Sequence, residues 1–106
     1  MPNFQLPTAN FSPVFGAGVS ISVTNVSANQ ALDATAAAAY KQIYVFNAGT
    51  ATVFVRWGSG SQTAITADIA LPSGSVQVFF KGAADNIAAI TASGTATLYA
   101  IPGLGQ

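Results

Sequence analysis

The sequence of 106 residues contains no cysteine, no histidine and no glutamate. Without cysteine it has neither a disulfide framework nor a thiolate metal site. Without histidine and glutamate it lacks the usual general base near neutral pH and most of the side chains that bind metals. We therefore expect no enzymatic activity, no catalytic residue, no cofactor and no metal site.

Charge is also scarce, because only 6% of the residues are charged, where about a quarter is usual for a soluble domain. Three dispersed cations do not form the basic patch that binding to a phosphate backbone requires, so nucleic acid is not an expected partner. The three acids are far apart in sequence and lie in turn-like surroundings, which indicates loop residues rather than a catalytic carboxylate pair. The charged residues are Asp33, Lys41, Arg56, Asp68, Lys81 and Asp85.

Long apolar runs are missing as well. Pro2, Pro7, Asn10 and Pro13 interrupt the first fifteen residues, so the pattern of a signal peptide is absent. No segment approaches the roughly 20 apolar residues that a membrane-spanning helix needs. We expect no membrane association, and a protein that stays in a cytoplasm or in a particle assembled there.

What the chain has in abundance is apolar residues, which make up 51% of it. A chain of 10.7 kDa has room for one domain with one modest core. The excess of apolar residues over the needs of such a core indicates surfaces that are buried against other chains. The composition therefore points to a component of an assembly.

The first 18 residues differ from the rest. Prolines recur among apolar residues up to Gly18, and prolines at this spacing forbid a helix and disfavour a central strand. We expect an extended N-terminal arm over residues 1–18, lying in a groove on a neighbouring subunit or folded back on its own domain. The arm residues expected to contact a partner are Phe4, Leu6, Phe11, Val14 and Phe15.

From Val19 onward the dominant period of hydrophobicity is two, which is typical of half-buried strands. The pattern predicts an all-β domain over residues 19–106, a single antiparallel β-sandwich or jelly-roll. Residues 48–51 resemble a hairpin connection. Residues 29–40 are expected to form a loop with a short helical turn. Residues 59–74 are expected to form a long connection with a short strand near 64–70. Strands are predicted over residues 19–24, 41–47, 52–58, 75–81, 87–93 and 95–101.

Two of these strands carry large side chains on both faces. Ile43 and Val45 alternate with Tyr44 and Phe46, and the next strand repeats the pattern. A sheet whose second face met water would alternate apolar and polar residues more cleanly, so a loop or a partner is expected to cover that face. The expected partner contacts on the sheet are Tyr44, Phe46, Phe54, Trp57 and Phe79.

Four segments together resemble a known family. The strand-turn-strand segment 44–58, the Leu-Pro-Ser-Gly turn at 71–74 before Val76–Phe79, the pair of strands over 87–99 and the terminal Pro-Gly-Leu-Gly at 102–105 are similar to small structural proteins of tailed-phage virions. The resemblance covers residues 40–106. It is strongest to capsid decoration, or cement, proteins.

The resemblance implies a compact β-sandwich or jelly-roll on the outside of a tailed-phage head, where it bridges and stabilises neighbouring major capsid subunits. The expected partners are the major capsid protein and other copies of the chain, as a dimer or trimer at a symmetry axis of the capsid. The expected location is the capsid exterior of a virion assembled in the host bacterial cytoplasm. Related folds also serve as head-to-tail adaptors, head fibres and tail proteins.

A carbohydrate-binding module is the alternative from another class. Trp57 with Tyr40, Tyr44 and Tyr99 would then form an aromatic platform for sugars, whereas packing in a core or interface is the simpler interpretation of these rings.

Overall fold

The structure is a computed structural model that describes residues 11–32 and 40–104. In these ranges every regular element is a strand, and none of the described residues forms a helix that could cross a membrane. The strands are β1 (Ser12–Pro13), β2 (Val19–Val23), β3 (Ala28–Ala31), β4 (Gln42–Asn47), β5 (Val53–Gly58), β6 (Ile69–Leu71), β7 (Val76–Phe80), β8 (Asn86–Thr91) and β9 (Ala96–Leu104).

The strands form two antiparallel sheets that pack face to face. The first sheet has the order β1-β9-β4-β7, with β2 beside β1 on the same edge of β9. The second sheet has the order β3-β8-β5-β6. Between β2 and β9, every connection except that from β5 to β6 passes from one sheet to the other. This strand order defines a jelly-roll, as the sequence pattern predicted.

The core lies between the two sheets, and strand alternation explains its composition. Ile43 and Val45 of β4 and Val53 and Val55 of β5 are completely buried, because alternate side chains of a strand point to opposite faces. Leu32, directly after β3, joins the core. The other members follow the same alternation on the remaining strands: Ile21, Val23, Leu71, Ile87, Ala89, Leu98 and Ala100.

The six main strands predicted from residue 19 onward are confirmed, whereas the short strand expected near residues 64–70 lies at Ile69–Leu71. Two connections also differ from the expectation. Residues 48–51 were expected to form a hairpin-like connection, which is wrong because β4 and β5 belong to different sheets. Residues 28–31 form β3, an edge strand that pairs with β8, where a loop was expected. The short helical turn was expected within residues 29–40. Most of that segment, residues 33–39, lies outside the described residues.

One buried side chain organises the crossing from β4 to β5. The Nδ2 atom of Asn47 donates to the carbonyl oxygens of Ala51, at 2.9 Å, and Leu71, at 2.8 Å. Its Oδ1 atom accepts from the N–H of Gly49 at 2.9 Å. Asn47 therefore ties the connection to the end of β6.

The N-terminal segment from residue 11 lies on the first sheet. Ser12 and Pro13 pair with Leu104 and Gly103 of β9, and the N–H of Val14 donates to the carbonyl of Pro102 at 3.0 Å. A Cβ atom at Gly103 would collide with the ring of Phe11 and with the carbonyl oxygen of Ser12. The absence of a side chain at Gly103 thus allows this segment to lie close to β9.

Candidate interaction surface

The outer side of the first sheet carries a continuous set of apolar side chains. Phe46 pairs with Val76 and Tyr99, and Tyr44 pairs with Val78 and Ile101, so these side chains share one side. The rings of Phe46 and Tyr99 stack with centroids 6.3 Å apart. We call this surface the apolar face; its members are Tyr44, Phe46, Val76, Val78, Phe80, Tyr99 and Ile101.

Several members of the apolar face are strongly exposed. Phe80 is 72% exposed, Tyr99 48% and Val76 39%. The five strands of the first sheet contain no charged residue. An uncharged surface of this kind on a small protein is typical of a contact site for another macromolecule.

The outer side of the second sheet is covered differently. The connection between β5 and β6, residues 59–68, crosses it, and its Ala64 is only 1% exposed. The N–H of Ala64 donates to Ser27 Oγ at 2.7 Å, and that of Gln62 donates to Asn29 Oδ1 at 2.8 Å. The chain therefore covers this side itself, while much of the apolar face remains exposed.

The predicted arm contacts have different surroundings. Phe4 and Leu6 lie outside the described residues. Phe11 is half-buried and its ring stacks on Tyr44 with centroids 6.1 Å apart, so it extends the apolar face on its own domain. Val14 continues the hydrogen bonding of β1 to β9. Phe15 is 88% exposed and lines an open apolar groove of about 310 Å³.

The five predicted sheet contacts do not share a surface. Tyr44 and Phe46 belong to the apolar face, while Phe54 lies on the outer side of the second sheet. Trp57 and Phe79 point inward and pack on each other, with ring centroids 5.0 Å apart, at the margin of the core. Trp57 therefore does not share a surface with Tyr44 and Tyr99, as the expected aromatic platform for sugars would require.

Sequence reasoning did not select Phe80, Val76, Val78 or Ile101, and it considered Tyr99 only for sugars. The signal was present in β9, where Leu98 and Ala100 alternate with Tyr99 and Ile101, so that both faces of the strand are apolar. The same two-faced pattern that identified β4 therefore identifies its neighbour β9, whereas β7 has the polar Gln77 on its inner side.

The described charged residues lie outside the strands of the first sheet, with Lys41 directly before β4 and Lys81 directly after β7. Arg56 makes a two-pronged ion pair with Asp68, with Nε–Oδ2 and Nη2–Oδ1 distances of 2.9 Å. The hydrogen bond from Arg56 lowers the pKa of Asp68, and the N–H of Ile65 adds to the effect. The N–H of Gly60 and then the amide of Asn86 lower the pKa of Asp85.

Lys81 is a buried lysine at the end of β7, only 5% exposed. Its Nζ atom donates to the carbonyl oxygens of Ala84, at 2.9 Å, and Gly82, at 3.3 Å, and so closes the turn into β8. Burial lowers the pKa of Lys81, with Lys41 contributing and Asp85 opposing. The role of this side chain is to hold a turn.

No group of three acidic side chains comes together within residues 11–32 and 40–104. Asp68 and Asp85 are each held by the hydrogen bonds described above, and Asp33 lies outside the described residues. The two described aspartates thus hold loops and do not meet at a common site.

No protein-family model and no curated protein matches the chain. Among solved structures it is similar to hydroxypropylphosphonic acid epoxidase from S. wedmorenis in complex with fosfomycin, at 13% identity over 90% of this chain and 44% of that one, with a TM-score of 0.47. The chain thus spans less than half the length of that protein.

Two further solved structures are similar to the chain. PirA matches at 12% identity over 85% of this chain and 95% of that one, with a TM-score of 0.48. A cupin-2 domain containing protein from Shewanella frigidimarina NCIMB 400 matches at 12% identity over 79% and 66%, with a TM-score of 0.43. These likenesses concern the fold alone, and the chain is an all-β protein of the jelly-roll class.

Proposed function

We propose that the chain is a structural protein of a tailed-phage virion, a capsid decoration protein that bridges and stabilises neighbouring major capsid subunits. The observation that carries the proposal is the uncharged apolar face, with Phe80 72% and Tyr99 48% exposed. The resemblance of residues 40–106 to small phage virion proteins supplies the biological setting.

The mechanism requires no chemistry. Covering apolar surface contributes about 25 cal/mol for each Å² removed from water, and a stable interface buries roughly 800 Å² on each partner. Because such a protein binds the assembled shell and not its dissociated subunits, its binding shifts the equilibrium toward the shell. The proposed partners are the major capsid protein and further copies of the chain, on the capsid exterior.

Tyr99→Lys tests the proposal, because it places a charge in the apolar face. We expect it to abolish attachment to purified phage heads that lack this protein, measured by co-sedimentation. Ile65→Lys is the matched control, since Ile65 is 49% exposed but lies on the connection over the second sheet. Equal attachment of both variants, each shown to be folded by circular dichroism, would remove the apolar face from the mechanism.

Copy number separates decoration from the adaptor and tail alternatives. A decoration protein is present in hundreds of copies per particle, whereas a connector ring holds about a dozen. Densitometry of purified virions measures this number directly, and a value near a dozen would replace decoration by a connector role.

A further inference from the structure

The inference begins at β7, the edge strand of the first sheet, which pairs with β4 alone among the described strands. The N–H of Asn47 donates to the carbonyl of Ser75 at 3.0 Å, and the N–H of Lys81 donates to that of Lys41 at 2.7 Å. Because the hydrogen-bonded residues of an antiparallel strand alternate, Gln77 and Phe79 also face β4. The N–H and C=O groups of Val76, Val78 and Phe80 therefore point to the open side.

The other sheet edges are shorter or more polar than β7, and β6 and β1 carry features that protect natural edge strands. β6 has only three residues, β3 carries the polar Asn29 and Gln30, and β1 contains Pro13. β2 presents serines at positions 20 and 22. β7 and β2 each have five residues with no charge, proline or glycine, but the outer side of β7 carries Val76, Val78 and Phe80 where that of β2 carries the two serines. Phe80, at the end of β7, is 72% exposed.

We propose that two copies of the chain pair through β7, antiparallel, about a twofold axis that passes beside Val78. In this register Val78 lies opposite Val78 of the second copy, and Val76 lies opposite Phe80. The three outward N–H groups and three outward C=O groups of each copy then match one another, giving about six backbone hydrogen bonds. No like charges meet, because Lys81 lies opposite Ser75 of the second copy.

A second copy is the occupant that these observations favour, because the strand is complementary to itself in this register. Pairing makes one continuous sheet of the two first sheets and places the two apolar faces side by side on the same surface. Two linked faces bind a repeating shell more tightly than one. The inference deepens the proposed function, which already names further copies of the chain as partners. It rests on that proposal for the choice of a second copy as the occupant of the β7 edge.

Crosslinking tests the register, and the chain suits it because it has no cysteine of its own. Two Val78 residues at the axis have Cα atoms about 5.5 Å apart, within the range that a disulfide spans. We expect Val78→Cys to form a disulfide-linked dimer under mild oxidation, with Val76→Cys and Ser22→Cys remaining monomeric in reducing-agent-free gels. Equal crosslinking at position 76 or 22 would overturn the proposed register.

Sedimentation in the absence of any capsid tests the association itself. We expect the wild type to be a dimer and Val78→Lys to be a monomer, with Ser22→Lys as the control that adds the same charge at the opposite edge. Circular dichroism shows whether each variant is folded. A monomeric wild type over about 1 to 100 μM would overturn the pairing.

The two proposals fail separately. A β7-paired dimer that does not attach to phage heads would refute the decoration role and leave the pairing intact. A monomer that attaches to phage heads would refute the pairing and leave the decoration role intact.

Discussion

At the scale of single residues, Asn47 joins three pieces of backbone that strand pairing alone leaves apart. It is completely buried, and its side-chain amide holds the carbonyls of Ala51 and Leu71 and the N–H of Gly49. A buried polar group is stable only when it is hydrogen-bonded, and here every partner belongs to a loop or a strand end. The residue therefore fixes how the chain leaves one sheet and enters the other.

Asn47→Ala is expected to lower the free energy of unfolding by about 2 to 3 kcal/mol, because it leaves buried backbone groups without a partner. Urea denaturation measures this loss. Asn25→Ala, at an exposed position on the β2–β3 connection, is the control and should change stability by less than about 0.5 kcal/mol. Similar losses in both variants would contradict the role assigned to Asn47.

At the scale of the elements, alternation predicted which side chains point into the core. In β4, Ile43 and Val45 alternate with Tyr44 and Phe46, which predicted a strand with two apolar faces. The structure confirms this strand. Alternation does not indicate which sheet a strand joins. The short turn over residues 48–51 suits a hairpin and a crossing between sheets equally well, so the long-range partners of β4 decided the outcome.

The strand that sequence reasoning missed, β3, shows the same limit. Its residues Ala28 to Ala31 have low β-propensity, and the strand exists because it pairs with β8 and because Asn29 binds the connection that crosses it. The candidate surface was predictable in part. Tyr44 and Phe46 follow from alternation in β4, whereas Phe80 and Tyr99 join them only through the register of β7 and β9 on β4.

The packing of β1 on β9 gives a prediction about the N-terminal segment. In Gly103→Ala the new methyl group collides with Phe11 and Ser12, so we expect β1 to detach while the sandwich stays folded. Amide hydrogen exchange measures this, because the N–H of Val14 loses its bond to Pro102 and should exchange at least about tenfold faster.

Gly18→Ala is the matched control for this prediction. A Cβ atom there meets the carbonyl oxygen of Ala100 at 3.6 Å and Ile101 at 3.8 Å, which is ordinary contact. If the Val14 amide in Gly103→Ala kept its protection from hydrogen exchange, β9 would have shifted instead of β1. Gly103 would then not position the N-terminal segment.

At the scale of the whole molecule, the described charges divide between an ion pair on the second sheet, the turns, and two lysines at the ends of β4 and β7. Arg56 and Asp68 fasten the connection over the second sheet to β5, and Asp85 anchors the start of the same connection through Gly60. The outer side of the first sheet, whose strands contain no charge, carries the apolar face on β4, β7 and β9, beside the polar Ser20, Ser22, Gln42 and Thr97. The outer side of the second sheet is thereby covered by the chain itself, whereas the apolar face is partly exposed, with Phe80 72% exposed.

This distribution of charge predicts that the free energy of unfolding changes in acid but not between about pH 5 and 7. The chain has no histidine, glutamate or cysteine, so no side chain with an ordinary pKa titrates between about pH 5 and 7. The pKa values of Asp68 and Asp85 are lower in the folded protein than their ordinary values. As the pH falls, the unfolded chain therefore binds protons before the folded protein does. The two carboxylates contribute fully to stability above their ordinary pKa, and this contribution is lost as the pH passes through their lower pKa values in the folded protein.

We accordingly expect the free energy of unfolding to be flat from about pH 5 to 7 and to fall below about pH 4. Asp68→Asn removes the charge that Arg56 holds, so this variant should be less stable than the wild type at pH 7 and should lose less stability on acidification. Urea midpoints between pH 2.5 and 7 measure both curves, with Asp85→Asn as a second variant because the N–H of Gly60 holds its carboxylate. Parallel curves for the wild type and Asp68→Asn would show that the ion pair over the second sheet does not contribute to the acid sensitivity.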